Sequence, residues 1–98
     1  MGPAPPEIVV NQVGYEHLGR DDVDGAIAFF RANVELYPAS ANVYDSLGEA
    51  LERAGRLEEA VTSYAQAVKN AKANHDRRLD IFTANHDRAA DALAKPNG

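Results

Sequence analysis

Two copies of Ala-Asn-His-Asp-Arg, at residues 73–77 and 84–88, set an imidazole beside a carboxylate twice. These are the side chains that ligate zinc or move protons in acid–base chemistry. Their spacing argues against a shared site. Eleven residues on an α-helix are close to three whole turns, so the second copy stands above the first at roughly 16.5 Å. Zinc bonds are about 2 Å long, and His ligands on one helix are typically about four residues apart. Within a copy, His and Asp are neighbours and diverge by about 100° around the helix. Neither copy makes a site alone.

Other candidate chemistry is equally short of partners. His17 lies on the packing side of the first helix and reads as a half-buried structural residue, because no Ser, Cys or paired carboxylate in the sequence completes a catalytic set. Asp21, Asp22 and Asp24 crowd one turn but lack the twelve-residue loop and closing Glu of a calcium site. Asp24 also begins a helix, where negative charge is favoured anyway. There is no Cys, which excludes disulfides, thiolate catalysis and Cys-based zinc sites. Phosphate loops, nucleophile elbows and dinucleotide fingerprints are missing too. The expectation is a non-enzyme with no cofactor and no metal.

A chain of 98 residues, 45% hydrophobic and 26% charged, reads as one small folded domain. Its net charge of −5 is uneven: residues 1–71 hold eleven acids and five bases, whereas 72–98 hold four acids and five bases. An acidic body is unsuited to nucleic acid, which needs clustered Lys and Arg. Three Lys against seven Arg suits a salt-rich cytoplasm. No apolar run approaches a membrane span, and the opening MGPAPPEIVV is no signal peptide. The chain is expected to be soluble, unprocessed and cytoplasmic, without membrane or nucleic-acid partners.

What positions these residues is a repeat. Shifting the chain by 34 residues lays Gly14 on Gly48, Ala26 on Ala60, Phe30 on Tyr64 and Val34 on Val68, with Gly19 and Gly55 offset by two. Each block reads helix, tight turn, helix: 7–18 and 23–37, the latter stopped by Pro38, then 41–54, N-capped by Ser40, and 57–72 after Gly55. Apolar stripes at helical spacing mark the packing seams: Val10, Val13 and His17; Ala26, Ile27, Phe30 and Val34; Val43, Tyr44, Leu47 and Leu51; Leu57, Ala60, Val61, Tyr64 and Val68. Mid-helix Gly14 and Gly48 each cost about 1 kcal/mol against Ala. Their presence predicts a close crossing with Ala26 or Ala60 against them. Leu79, Phe82, Ala89, Ala90 and Leu93 stripe a further helix over 75–94 that covers the last apolar face. Asn74 falls 34 residues after Ser40, so the first pentapeptide is expected to start that helix with Asn74 as N-cap. The second copy then lies mid-helix with His86 and Asp87 at the surface. The alternative is a surface ion site using His75, Asp76 or Asp80.

The block VYDSLGEALERAGRLEEAVTSYAQAV resembles a tetratricopeptide repeat, through Tyr44, Leu47-Gly48, Leu51, Ala60, Tyr64 and Ala67. The first block is similar through Gly14, Ala26, Phe30 and Pro38. It departs at Val10, His17 and Asn33, and the second block has Lys72 where the closing Pro belongs. The resemblance implies an all-α, right-handed superhelical solenoid: repeat 1 over 7–40, repeat 2 over 41–74 and a capping helix over 75–95, with 1–6 a Pro-rich linker and 96–98 a tail.

The resemblance also implies a protein-interaction module whose concave face is lined by the first helix of each pair. By register these are Ile8, Asn11, Gln12, Tyr15 and Leu18, then Asn42, Asp45, Glu49, Glu52 and Arg53, then Asp76 and Asp80. An apolar end at Ile8, Tyr15 and Leu18 beside acids suits a neutral to basic protein or peptide with one hydrophobic anchor. Relatives that grip a chaperone's C-terminal carboxylate use cations here, whereas this chain has Asn11, Tyr15, Ser46, Asp76 and Asp80. The run NVELYPASANVYDSLGEAL is also similar to repeats appended to bacterial serine esterases and β-lactamase-like hydrolases, which implies an accessory domain as one alternative. Self-association through an uncovered edge, giving a homodimer, is the other.

Overall fold

Local signals place most helix ends. The computed structural model describes residues 7–95, and the expected linker 1–6 and tail 96–98 lie outside the described residues. The helices are α1 (Glu7–Gly19), α2 (Val23–Leu36), α3 (Ala41–Arg53), α4 (Leu57–Ala73) and α5 (Leu79–Ala94). The Ser40 side chain accepts from the Val43 N–H at 3.4 Å, capping α3 as its position demands. α2 starts at Asp22, whose carboxylate accepts from the Gly25 N–H at 3.0 Å. It ends at Tyr37, since the residue before Pro38 is pushed out of helical geometry.

The two hairpin turns restore the 34-residue register that the glycines had missed. Gly55 sits at φ 77°, and its counterpart is Asp21 at φ 60°, 34 residues earlier. Asp tolerates the left-handed region better than most residues, so the repeat survives without a glycine there.

Alternate helices form two layers of unequal spacing. Among the described residues the backbones of α1 and α3, and of α3 and α5, approach closely, whereas those of α2 and α4 do not and are bridged only by side chains. The odd-numbered layer is therefore the inside of the curve and the even-numbered layer its splayed outside. The molecule is an elongated arc of 52 × 33 × 17 Å.

The core runs between the layers, with Leu18, Ala26, Phe30, Leu47, Leu51, Ala60, Tyr64 and Ala89 in one cluster and Ala41, Ala67, Ala71 and Phe82 in a second. Aromatic rings, rather than alanines, press on the mid-helix glycines. A Cβ on Gly14 would collide with the Phe30 ring, and one on Gly48 would lie 2.6 Å from Tyr64 Cδ1. Ala26 and Ala60 are fully buried beside these contacts but are not what the glycines make room for.

The final helix starts later than its sequence suggests. Asn74 is the C-cap of α4, and its side-chain amide donates to the Ala39 carbonyl at 2.9 Å. His75 then takes φ 52°, and Asp76 accepts from the Arg78 N–H at 2.8 Å. These local bonds offer the backbone an alternative to helix, so α5 begins only at Leu79. After Ala73, which ends α4, the first pentapeptide is a connection, and the second is helical as expected.

Candidate functional site

The inner layer gathers the expected groove residues on α1 and α3, with exceptions at both ends. Ile8 is 74% exposed and Gln12 is exposed. Asn11 is half-buried, with a buried Oδ1 that has no partner among the described residues. Leu18, expected in the groove, is only 3% exposed and belongs to the core, because it stands four residues after Gly14 on the helix's inward stripe.

Tyr15 joins the two repeats. Its hydroxyl donates to Glu49 Oε2 at 2.6 Å and lies 3.2 Å from Ser46 Oγ, while its ring meets Phe30 edge-on at 5.1 Å. Burial, and then the Glu49 hydrogen bond, push the phenol well above its ordinary range, so it stays a proton donor. Glu49 is exactly one repeat period after Tyr15 in register, and the pair spans the α1–α3 seam.

The acids of α3 divide into two kinds. Glu52 is neutralised: Arg88 donates to both its oxygens at 2.8 and 3.2 Å, and the buried Tyr64 hydroxyl donates at 2.8 Å. The Arg88 hydrogen bond is the main reason its carboxyl is held below the ordinary range. Arg53 reaches away to Asp21 at 2.9 Å. Asp45 and Glu49, four residues apart on one face, have only neutral hydrogen-bond donors among the described residues: Asn85 for Asp45 at 2.9 Å and Tyr15 for Glu49. Burial pushes the Asp45 carboxyl above its usual range. Asn42 is half-buried, with its carbonyl 3.4 Å from Arg78 Nη1 and its amide 3.5 Å from Glu7 Oε1.

The third wall comes from residues that sequence reading assigned elsewhere. Asp76 lies in the connection, bound to Arg78 by both oxygens. Asp80 is exposed and sits about 140° around α5 from Asn85, off the groove. Asn85 and Arg88 face α3 instead, and exposed Ile81 lies one turn before Asn85 on the helix. Asn85 and Arg88, three apart within the second pentapeptide, carried the one available signal, a shared helix face; their partners are 40 and 36 residues away. His86 is half-buried and meets Asp87 at 3.0 Å.

His17 is structural. Its Nδ1 lies 2.7 Å from Asp22 Oδ2 and its ring stacks on Phe29 at 4.9 Å, which braces the α2 N-cap. That contact with His17, followed by the Gly25 N–H bond, holds the Asp22 carboxyl below the usual range. Among the described residues no group of three or more His, Asp or Glu comes together around a possible ion. On the outer side, a cleft of about 570 Å³ opens between α2 and α4 over Val34, Tyr44, Leu47 and Leu51. Arg31 and Glu59 meet across it at 3.6 Å.

No helix of the described residues is long and apolar enough to cross a membrane. Searches against protein-family models and curated proteins found no match. Solved structures do match. A crystal structure of a tetratricopeptide repeat domain protein from Salinibacter ruber is 26% identical, covering 88% of this chain and 97% of that one, at a TM-score of 0.79. A solution NMR structure of a tetratricopeptide repeat domain protein from the same organism is 23% identical, covers 99% of each chain and has a TM-score of 0.83. Among the described residues, five helices in alternating layers with a 34-residue register define an all-α helical-repeat solenoid. Within that class its fold is that of the tetratricopeptide-repeat domains, a kind of helical module that generally mediates protein–protein interaction.

Proposed function

We propose that the domain binds an extended peptide or protein segment along its concave face, with an aliphatic anchor against Ile8 and the Tyr15 ring and a Lys or Arg over Asp45 and Glu49. The reading is supported above all by these two carboxylates, which share one face of α3 and meet only neutral hydrogen-bond donors among the described residues. Unpaired charge in a concavity favours a cationic partner and steers its approach. Gln12 is an exposed amide on the same face that could bond a peptide backbone.

The test is selection from a random peptide library, followed by titration of the selected peptides into isotopically labelled protein. Binders should be enriched in an aliphatic residue near Lys or Arg, with shifts at residues 8–15 and 42–49. Glu49→Lys should weaken them at least about tenfold, and Tyr15→Ala should weaken them too, with helicity intact. Selected peptides that are acidic, or that shift only α2 and α4, would sink the reading.

A further inference from the structure

The two ends of the arc differ, and the difference implies a partner. Tyr15 faces α3, and Val13, two residues earlier, points about 160° away around the helix. Arg31 reaches α4, and Phe29, again two residues earlier, points away likewise. The outer edge of the first hairpin therefore carries two stripes: Val9, Val13 and His17 on α1, and Phe29, Ala32 and Leu36 on α2. The stacked His17 and Phe29 rings join them. Val9, Phe29 and Leu36 are 47%, 39% and 43% exposed, and Ala32 is exposed. At the opposite end, the α5 face turned away from Asn85 carries exposed Asp80, Asp87 and Asp91. The first edge is mainly apolar, with exposed Glu16 beside Val9 on the α1 face, and the other is acidic.

We infer that the apolar edge is a homodimer interface, in which two copies pair α1–α2 against α1–α2 about a two-fold axis. An apolar edge matches itself and not the acidic α5 edge, so pairing closes at two copies instead of growing head to tail. The area suffices for a modest dimer. Helices of 13 and 14 residues side by side present a face of about 20 by 20 Å. Two such faces amount to about 800 Å², at the low end of interface sizes and in keeping with a weak dimer.

Charge sets the condition for pairing. Residues 7–36 hold six acids against Arg20 and Arg31, a net of −4 with His neutral. Each copy therefore repels the other, and salt relieves the repulsion as the screening length falls from about 10 Å at 0.1 M to about 3 Å at 1 M. Dimerisation strengthens with ionic strength, the reverse of an interface built on ion pairs.

Sedimentation equilibrium of the 98-residue chain at about 0.1 M and about 1 M sodium chloride decides the matter. The expected mass rises from near 10.6 kDa toward twice that value. Ala32→Glu, which adds charge mid-edge without removing a packed group, should stay at the single-chain mass in both salts with unchanged helicity. Leu36→Glu should do the same, and Ile8→Ala in the groove should still dimerise. A wild-type mass that stays at 10.6 kDa in 1 M salt overturns the inference. So does a dimer broken by Ile8→Ala and not by the edge variants, or a mass that climbs past two copies.

Discussion

At the residue scale, the mid-helix glycines are set by shape. Gly48 lets the Tyr64 ring press against α3, and Gly14 does the same for Phe30 on α1, one repeat period apart. Tyr64 cannot retreat, since its hydroxyl is held by Glu52. Gly48→Ala should therefore destabilise by about 1–3 kcal/mol in urea unfolding, although alanine alone would favour the helix by about 1 kcal/mol. A neutral or stabilising result would mean that the ring shifts freely. Asp45 makes the opposite kind of prediction. Its folded-state carboxyl titrates above the unfolded value near 3.9, so the folded protein binds the proton more tightly, and ionised Asp45 costs stability at neutral pH. That cost disappears as pH falls below the unfolded value. Asp45→Asn keeps an acceptor for Asn85 and should raise Tm at pH 7, with the gain shrinking toward pH 3. A gain that is equal at both pH values would show that ionisation is not its source.

At the element scale, α5 is fastened by two kinds of contact. Phe82 and Ala89 bury its apolar stripe, and Asn85 and Arg88 tie its inner flank to α3. Arg88→Met keeps the side-chain stem and leaves Glu52 with only the Tyr64 hydroxyl. The expected loss is about 1 kcal/mol, reduced from that of a buried charged pair because the guanidinium is half in solvent. It should appear as faster amide exchange in α5 than in α1 to α4, and uniform acceleration would contradict this placement. The turns follow a similar logic: Gly55→Ala forces an L-residue to φ 77° and should cost about 1 kcal/mol.

At the scale of the whole molecule, one buried cluster runs from Leu18 through Phe30, Leu51 and Tyr64 to Ala89 and so links both hairpins to α5. The array should accordingly unfold in a single step. Phe30→Ala, at a fully buried position, should cost about 3–5 kcal/mol and shift the urea midpoints of α1 and α5 probes together. Midpoints that separate would show the hairpins folding independently, as longer repeat arrays permit.

What the sequence determined by itself was periodic and local. The 34-residue shift, the helical spacing of apolar residues, the Ser40 cap and the Pro38 stop specified four of the helices to within a residue or two, and the family resemblance pointed to the α1 and α3 faces proposed to line the groove. Those signals are legible because their physical cause lies within a turn or two of chain. Tertiary structure decided the rest. Leu18 is core because the α1–α2 crossing covers it, and Asn74 leaves the N-cap because the Ala39 carbonyl claims its amide. Asn85 and Arg88 face α3 because Asp45 and Glu52, 40 and 36 residues away, accept from them. Distance along the chain hides such partners, and only the packing of the helices brings them within hydrogen-bonding reach.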